Sequence, residues 1–381
     1  MKSVAIKTVL VIALLGLCIH LQKYYLTYSR IGSRPSDVRV SDLEKSSKGN
    51  KNNTIVFTNR KQTVTCKQMN FVFVKTYKTG SSTVGSTLFR YGLKNNLISA
   101  IALQPASMIV EIINNTAGVR KYDCDPTFPG YNYLVSHVKH YNYNVLNTLV
   151  KRAQFITLLR SPFKHLESSF YYFHADVACK LLKHENPFAE FVTHLQNYTD
   201  PTKMKAQLRN RLHNGQLYGL GCDDDNCNDQ TSVVKKNNEI EQQFDLVMIT
   251  DYMDESMVLL KQLMCWRDDD VVYKSMKVVG NNRPPITEHM KGIISKWNKA
   301  DMQLYNHFNR TFWRRIKNYK GDFDSDLQSF RTKQTEKTEM CVKTKRNNED
   351  CKWLEMDVTQ LRTTALKIQA ETICKKQNKN Q

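Results

Sequence analysis

The chain has 381 residues, enough for one large or two medium domains, and a hydrophobic content of 41% supplies the core of a globular protein. Lys and Arg number 56 against 36 Asp and Glu, a formal charge of +20 that favours anionic partners: nucleotides, sulfated or phosphorylated glycans, or acidic lipid surfaces. The basic residues are scattered and match no zinc finger, basic zipper or RNP signature, so nucleic acid is set aside as a partner.

The chain opens with Lys2 and Lys7 before the apolar run T-V-L-V-I-A-L-L-G-L-C-I-H-L. With its flanks this run comes near the roughly 20 residues that a membrane helix needs. No small-x-small cleavage site follows, and Lys23, Tyr24, Tyr25 and Tyr28 have the make-up of an interfacial belt. The reading is a signal anchor (8–28) in preference to a cleaved signal peptide. Basic residues ahead of it put a short cytosolic tail (1–7) on one side and the body in the lumen, a type II membrane protein. Residues 29–65, rich in Ser, Lys, Asn, Arg and Gly, read as a flexible stem. Two features agree with a lumenal body. Asn-x-Ser/Thr sequons occur at Asn52, Asn114, Asn197 and Asn309. Of ten cysteines, Cys18 falls in the anchor, and the odd number left in an oxidising compartment leaves at least one thiol free or paired to another chain. A disulfide-linked or non-covalent homodimer is therefore open. Cys222 and Cys227 flank D-D-D-N; lacking a second pair at zinc spacing, they read as a disulfide-closed loop.

The body begins near Cys66. Strands are expected at Phe71–Val74, Tyr133–Ser136, Gln154–Leu159 and Phe244–Ile249. Helices are expected at Ser82–Lys94, Tyr143–Lys151, Pro162–Cys179, Pro187–Gln196, Thr202–Leu212 and Asp254–Trp266. Strands separated by helices predict an α/β fold, a parallel sheet flanked by helices with ligands at the carboxyl ends of the strands. The stretch Phe71–Phe89, F-V-F-V-K-T-Y-K-T-G-S-S-T-V-G-S-T-L-F, reads as strand, tight turn and helix. Such a turn aims backbone N–H groups and a helix dipole at one spot, with Lys75 and Lys78 beside it, a place for phosphate. It is not a Walker loop, because Lys78 precedes Gly80. The bland alternative is a connection with two solvated lysines. A second strand end, L-R-S-P-F-K-H-L-E-S-S-F, offers Arg160 for bidentate phosphate binding, Ser161 and Pro162 to start a helix, and Ser168 and Ser169 two turns on. Its alternative is an Arg satisfying carbonyls and serines packed in mid-helix.

These segments resemble the galactose 3-O-sulfotransferase family, which includes galactosylceramide sulfotransferase. K-T-Y-K-T-G-S-S-T is similar to the family's 5'-phosphosulfate loop, and L-R-S-P-F-x-x-x-x-S-S-F to its 3'-phosphate site. F-D-L-V-M-I-T-D-Y-M-D-E-S-M-V-L-L from Phe244 and W-N-K-A-D-M-Q-L-Y-N-H-F-N-R-T-F-W from Trp297 extend the likeness to Trp313. The resemblance implies a P-loop-like sulfotransferase fold over a catalytic domain of 66–320, a Golgi location, and 3'-phosphoadenosine 5'-phosphosulfate (PAPS) as sulfuryl donor without a metal. It implies a galactosyl glycolipid or glycan as acceptor, with galactosylceramide leading and glycoprotein glycans the alternative. Carried over, Lys78 is the catalytic lysine, and Lys75, Thr76, Thr79, Gly80, Ser81, Ser82 and Thr83 wrap the 5'-phosphosulfate. Arg160 and Ser168 hold the 3'-phosphate, and His137 in Y-L-V-S-H-V-K-H is the candidate general base.

Without the resemblance His137 reads as a strand-end histidine bonded to backbone, and His140 is a nearby rival. One departure stands out: the family commonly has K-T-H-K-T where this chain has Tyr77, and a phenol is a far weaker base at neutral pH. That substitution motivates a second reading, a catalytically silent lumenal glycan- or nucleotide-binding homologue. A lumenal kinase would want metal-binding carboxylates, and neither Asp223–Asp225 nor Asp268–Asp270 follows a phosphate-site strand. The tail 321–381 reads as a basic extension stapled by cysteines, with an amphipathic helix near Trp353–Ile373.

Overall fold

The computed structural model describes residues 70–104, 107–125, 127–200, 202–222, 227, 229–275, 283–344 and 348–374. The expected tail, anchor and stem, with Asn52 and Cys66, lie outside them. No helix among the described residues is long and apolar enough to cross a membrane.

The sheet is built around β1 (Asn70–Val74), where Phe71 to Val74 are completely buried. A strand apolar on both faces is stable only with strands beside it and helices on each side. β1 accordingly pairs in parallel with β4 (Tyr133–Lys139) and with β5 (Ala153–Leu159), Val72 lying opposite Leu134 and Phe155. β2 (Ile109–Ile113) and β6 (Leu246–Ile249) extend the two sides in parallel, and β3 (Thr116–Ala117) adds a short antiparallel edge, giving the order β3-β2-β4-β1-β5-β6. The four expected strands, β1, β4, β5 and β6, are thus all parallel neighbours in one sheet, and β2 adds a fifth parallel strand that was not expected. β2 and β3 escape the sequence pattern because an edge hairpin is only partly buried and Glu111 interrupts its apolar run.

α1 (Ser81–Lys94) follows β1, α2 (Tyr143–Leu149) follows β4, and α3 (Pro162–Tyr172) follows β5. The single helix expected over Pro162–Cys179 breaks after Tyr172, where His174 takes a left-handed conformation at φ 54°. α3 carries Leu166 and Phe170 into a satellite core with Phe188, Phe191, Leu212 and Ile294.

The C-terminal tail differs from the expected extension. Cys341–Cys351 is a disulfide, yet the helices Phe323–Thr344 and Val358–Cys374 are built into the main core through Phe330, Leu361 and Ala365. Val358, Leu361 and Ala365 recur at helical spacing, and that apolar stripe must be covered. Arg362 donates to the Ser107 carbonyl at 2.7 Å and the Tyr122 hydroxyl to Gln369 at 2.9 Å, tying the last helix to the start of β2 and the segment after β3. Cys222–Cys227 closes its loop as expected, and Cys124 and Cys265 are also disulfide-bonded. Cys179 is the free thiol among the described residues. Asn114 and Asn197 are exposed, whereas Asn309 is half-buried within the helix Lys299–Lys317.

Candidate active site

The carboxyl ends of β1, β4 and β5 open on one cavity of about 1430 Å³. After β1 the chain turns through Lys75 to Gly80 before α1 begins. Gly80 sits at φ 80°, and a Cβ there would come within 3.2 Å of Thr250 Cγ2, so only glycine suits the turn without strain. The turn is tied from behind. Thr76 Oγ1 bonds Thr79 Oγ1 at 2.9 Å and donates to the Leu158 carbonyl, Ser81 Oγ donates to the Thr76 carbonyl at 2.8 Å, and Thr250, just past β6, donates to the carbonyls of Thr79 and Leu159. The buried side chains of Thr76 and Thr79 therefore brace the loop and do not line the cavity. Lys75, Lys78, Gly80, Ser81, Ser82 and Thr83 do line it. The Thr83 N–H donates to the Gly80 carbonyl at 3.0 Å, while the N–H groups at a helix start generally lack acceptors within the helix and the dipole adds positive character there.

Lys78 is held in a left-handed conformation at φ 56°, with its ammonium 3.7 Å from the centre of the Tyr172 ring. Arg160 donates to the Lys78 carbonyl at 3.1 Å, so the second predicted phosphate site supports the first. Ser168 lines the same cavity, whereas Ser169 is buried, its hydroxyl 3.5 Å from His165 Nε2. Asp251 accepts from the Ser161 N–H at 2.8 Å and from Lys164 at 3.1 Å, which fixes the start of α3.

His137 lies on β4 across from the loop. Its Nδ1 is 2.8 Å from the Lys75 carbonyl, which can only accept, so Nδ1 carries the proton and Nε2 the lone pair. Burial, then the nearby charge of Lys75, hold its basicity well below the usual histidine range, and it is neutral at physiological pH. Tyr77 stacks flat on the imidazole, ring centres 3.8 Å apart and planes 3° apart, and the Arg211 guanidinium lies 3.5 Å from the centre of the same phenol ring. Two groups that close to one ring centre must occupy opposite faces. Tyr77 is therefore a spacer in a stack of Arg211, Tyr77 and His137. The rival His140 is exposed, beside Glu111.

Behind the loop, His165 is fully buried and donates from Nε2 to the Tyr77 carbonyl at 3.0 Å. Burial, reinforced by Arg160, drives its pKa down to about 3 and keeps it neutral. Asp301 lies 4.0 Å from its Nδ1 and accepts the N–H groups of Gln216 and Leu217; burial pushes its carboxyl up to about 6. Sequence reasoning missed Arg211, Tyr172, Arg283 and the cavity wall formed by Ser107 to Ile109 with Val358 and Thr359. Tyr172 could have been found, since it lies one turn after Ser168 on α3; the others carry no local signal, because packing of distant segments brings them in. Among the described residues no three His, Cys, Asp or Glu side chains are gathered as metal ligands would be.

The family model described as galactose-3-O-sulfotransferase matches residues 5–369. The chain belongs to the galactose-3-O-sulfotransferase family. It is 34% identical to human galactosylceramide sulfotransferase over 250 residues, covering 65% of this chain and 57% of that protein. It is 31% identical to mouse galactose-3-O-sulfotransferase 2 over 262 residues, covering 65% and 62%. The matches thus span less than two thirds of these relatives' own lengths. In this member of the family the resembling segments converge: the loop, the start of α3, Thr250 to Tyr252 and Tyr305 all line the same cavity.

Proposed function

We propose that this family member transfers the sulfuryl group of PAPS to the 3-hydroxyl of a terminal galactose, on galactosylceramide or a related glycolipid. A type II anchor would hold it in the Golgi membrane with the body in the lumen. The observation that carries the reading is that a lysine-bearing anion loop and a neutral histidine with its Nε2 lone pair unprotonated open into one cavity. The donor set suits a nucleotide with phosphate and sulfate groups: two lysines, an arginine, hydroxyls and a helix N-terminus, in a volume with room for a second substrate.

Lys75, Lys78 and the backbone and hydroxyls of Gly80 to Thr83 would hold the 5'-phosphosulfate, and Arg160 with Ser168 the 3'-phosphate. When bound, PAPS supplies an activated sulfuryl group whose departure leaves negative charge on a phosphate oxygen. Lys78 is placed to meet that charge, its ammonium seated against the Tyr172 ring. His137 Nε2 accepts the proton of the attacking sugar hydroxyl, which is a poor nucleophile at neutral pH. Tyr77 takes no part in proton transfer; it fixes the plane of the imidazole. The glycolipid is favoured by the relative whose name specifies galactosylceramide.

The test incubates the full-length protein with radiolabelled PAPS and galactosylceramide, lactosylceramide, N-acetyllactosamine or a non-galactose sugar, beside Lys78→Ala and His137→Ala. Label is expected on galactosyl acceptors alone and is lost in both variants. Binding of adenosine 3',5'-bisphosphate with no transfer to any acceptor would leave a nucleotide-binding homologue in place of the enzyme.

A further inference from the structure

The cavity extends past the anion loop to a wall that no phosphate-binding residue shares. That wall is Ser107, Met108 and Ile109, entering β2, together with Val358 and Thr359 at the start of the last helix. Ile109 lies opposite His137 in the parallel pairing of β2 and β4, and the His137 backbone N–H donates to the Met108 carbonyl at 3.1 Å. The wall therefore adjoins the imidazole along the sheet. Val358 adjoins the loop: its Cγ2 and the Lys75 ammonium lie 3.1 and 3.9 Å from the point where a Cβ on Gly85 would stand. Arg362 links the two halves through the Ser107 carbonyl.

The sheet order puts β2 and β5 on opposite sides of the β4–β1 pair. Arg160 and Ser168, after β5, and the wall beside β2 thus flank Lys78 and His137 from opposite directions. Three apolar side chains and two hydroxyls bring no positive charge to hold a phosphate. They suit a neutral sugar, whose ring carries an apolar face, joined to an apolar aglycone.

We propose that Ser107 to Ile109 with Val358 and Thr359 form the acceptor subsite, taking a β-galactoside with an apolar aglycone packed against Met108, Ile109 and Val358. This assignment rests on the transferase reading above and adds which part of the chain selects the acceptor. The C-terminal helix is then a specificity element.

The experiment uses the full-length protein with octyl β-galactoside and lactose as acceptors and adenosine 3',5'-bisphosphate as a binding probe. Thr359→Trp, at an exposed position, narrows the wall, and Met108→Asn, at a half-buried one, makes it polar. The KM for octyl β-galactoside should rise about tenfold or more in each, the scale on which apolar pocket contacts discriminate. The KM for PAPS and the affinity for the bisphosphate should stay at wild-type values, and Met108→Asn should reduce the preference for the octyl galactoside over lactose. An unchanged acceptor KM in both variants, or a parallel loss of donor affinity, overturns the subsite. A wild-type protein that binds the bisphosphate but labels neither acceptor overturns the transferase reading itself, a failure visible without any variant.

Discussion

Replacement of Arg211 by Met removes a cation from the far face of Tyr77 while keeping a side chain of similar length. The guanidinium is 3.5 Å from the Tyr77 ring centre, and the imidazole is 3.8 Å away on the other face. At roughly 7 Å and an effective dielectric of 20, two unit charges repel by about 2 kcal/mol, which bounds how far Arg211 can disfavour protonation of His137. Burial and Lys75 weigh more heavily on the imidazole, so the realised share is smaller. The sign is fixed. His137 must be neutral to accept a proton, and without Arg211 its protonated form is less disfavoured, so the acid limb of kcat/KM moves to higher pH. Rates of sulfate transfer measured from acidic to neutral pH give the limb directly. Arg211→Lys keeps the charge and should keep the limb. Tyr77→Phe keeps the ring and should retain activity close to wild type, which a catalytic phenol would not allow. An acid limb that stays in place, or moves to lower pH, in Arg211→Met would refute the stack as a tuning device.

Three further outcomes follow from the same geometry. Gly80→Ala forces a left-handed alanine against Thr250 and should cost about 1–2 kcal/mol from the backbone alone, read by urea unfolding, with weaker binding of adenosine 3',5'-bisphosphate. Ser168→Ala should weaken that binding by the worth of a hydrogen bond to a charged group, about 1.5–3 kcal/mol, without moving the acid limb; calorimetric titration gives the loss. Asp301 titrates at about 6 in the folded protein against 3.8 in its ordinary state, so the native state holds the proton more tightly. Its contribution to stability is full below about pH 4 and is lost as pH rises through about 6, so over that window the Tm of wild type should fall relative to Asp301→Asn.

The loop and its helix were legible because their signals are local. Phe71 to Val74 form a short apolar strand, Gly80 marks a turn, and Ser81 onward has helical spacing; the structure places these elements within a residue of expectation. Arg160, Ser161 and Pro162 likewise mark a strand end and a helix start. The resemblance to the family added which residues to watch, and membership of that family is what the whole-chain match supports. Pattern reading failed at the β2–β3 hairpin, which is only partly buried, at His174, where the backbone turns left-handed, and in the tail, whose helices pack into the main core. The loop threonines illustrate a finer limit. Thr76, Thr79 and Ser81 are alike on paper, but Thr76 and Thr79 turn inward as braces while Ser81 also reaches the cavity.

By itself the sequence determined the alternation of strands and helices, the turn between β1 and α1, and the candidate residues of the donor site. Each depends on dihedral preferences and side chains within a few positions along the chain. Only the tertiary structure decided that Arg211 covers Tyr77, that His165 and Asp301 stand behind the loop, and that Val358 and Thr359 close the cavity. Those contacts join segments far apart in the chain, and their geometry is fixed by sheet order and by the burial of apolar helix faces, which no local window of residues encodes.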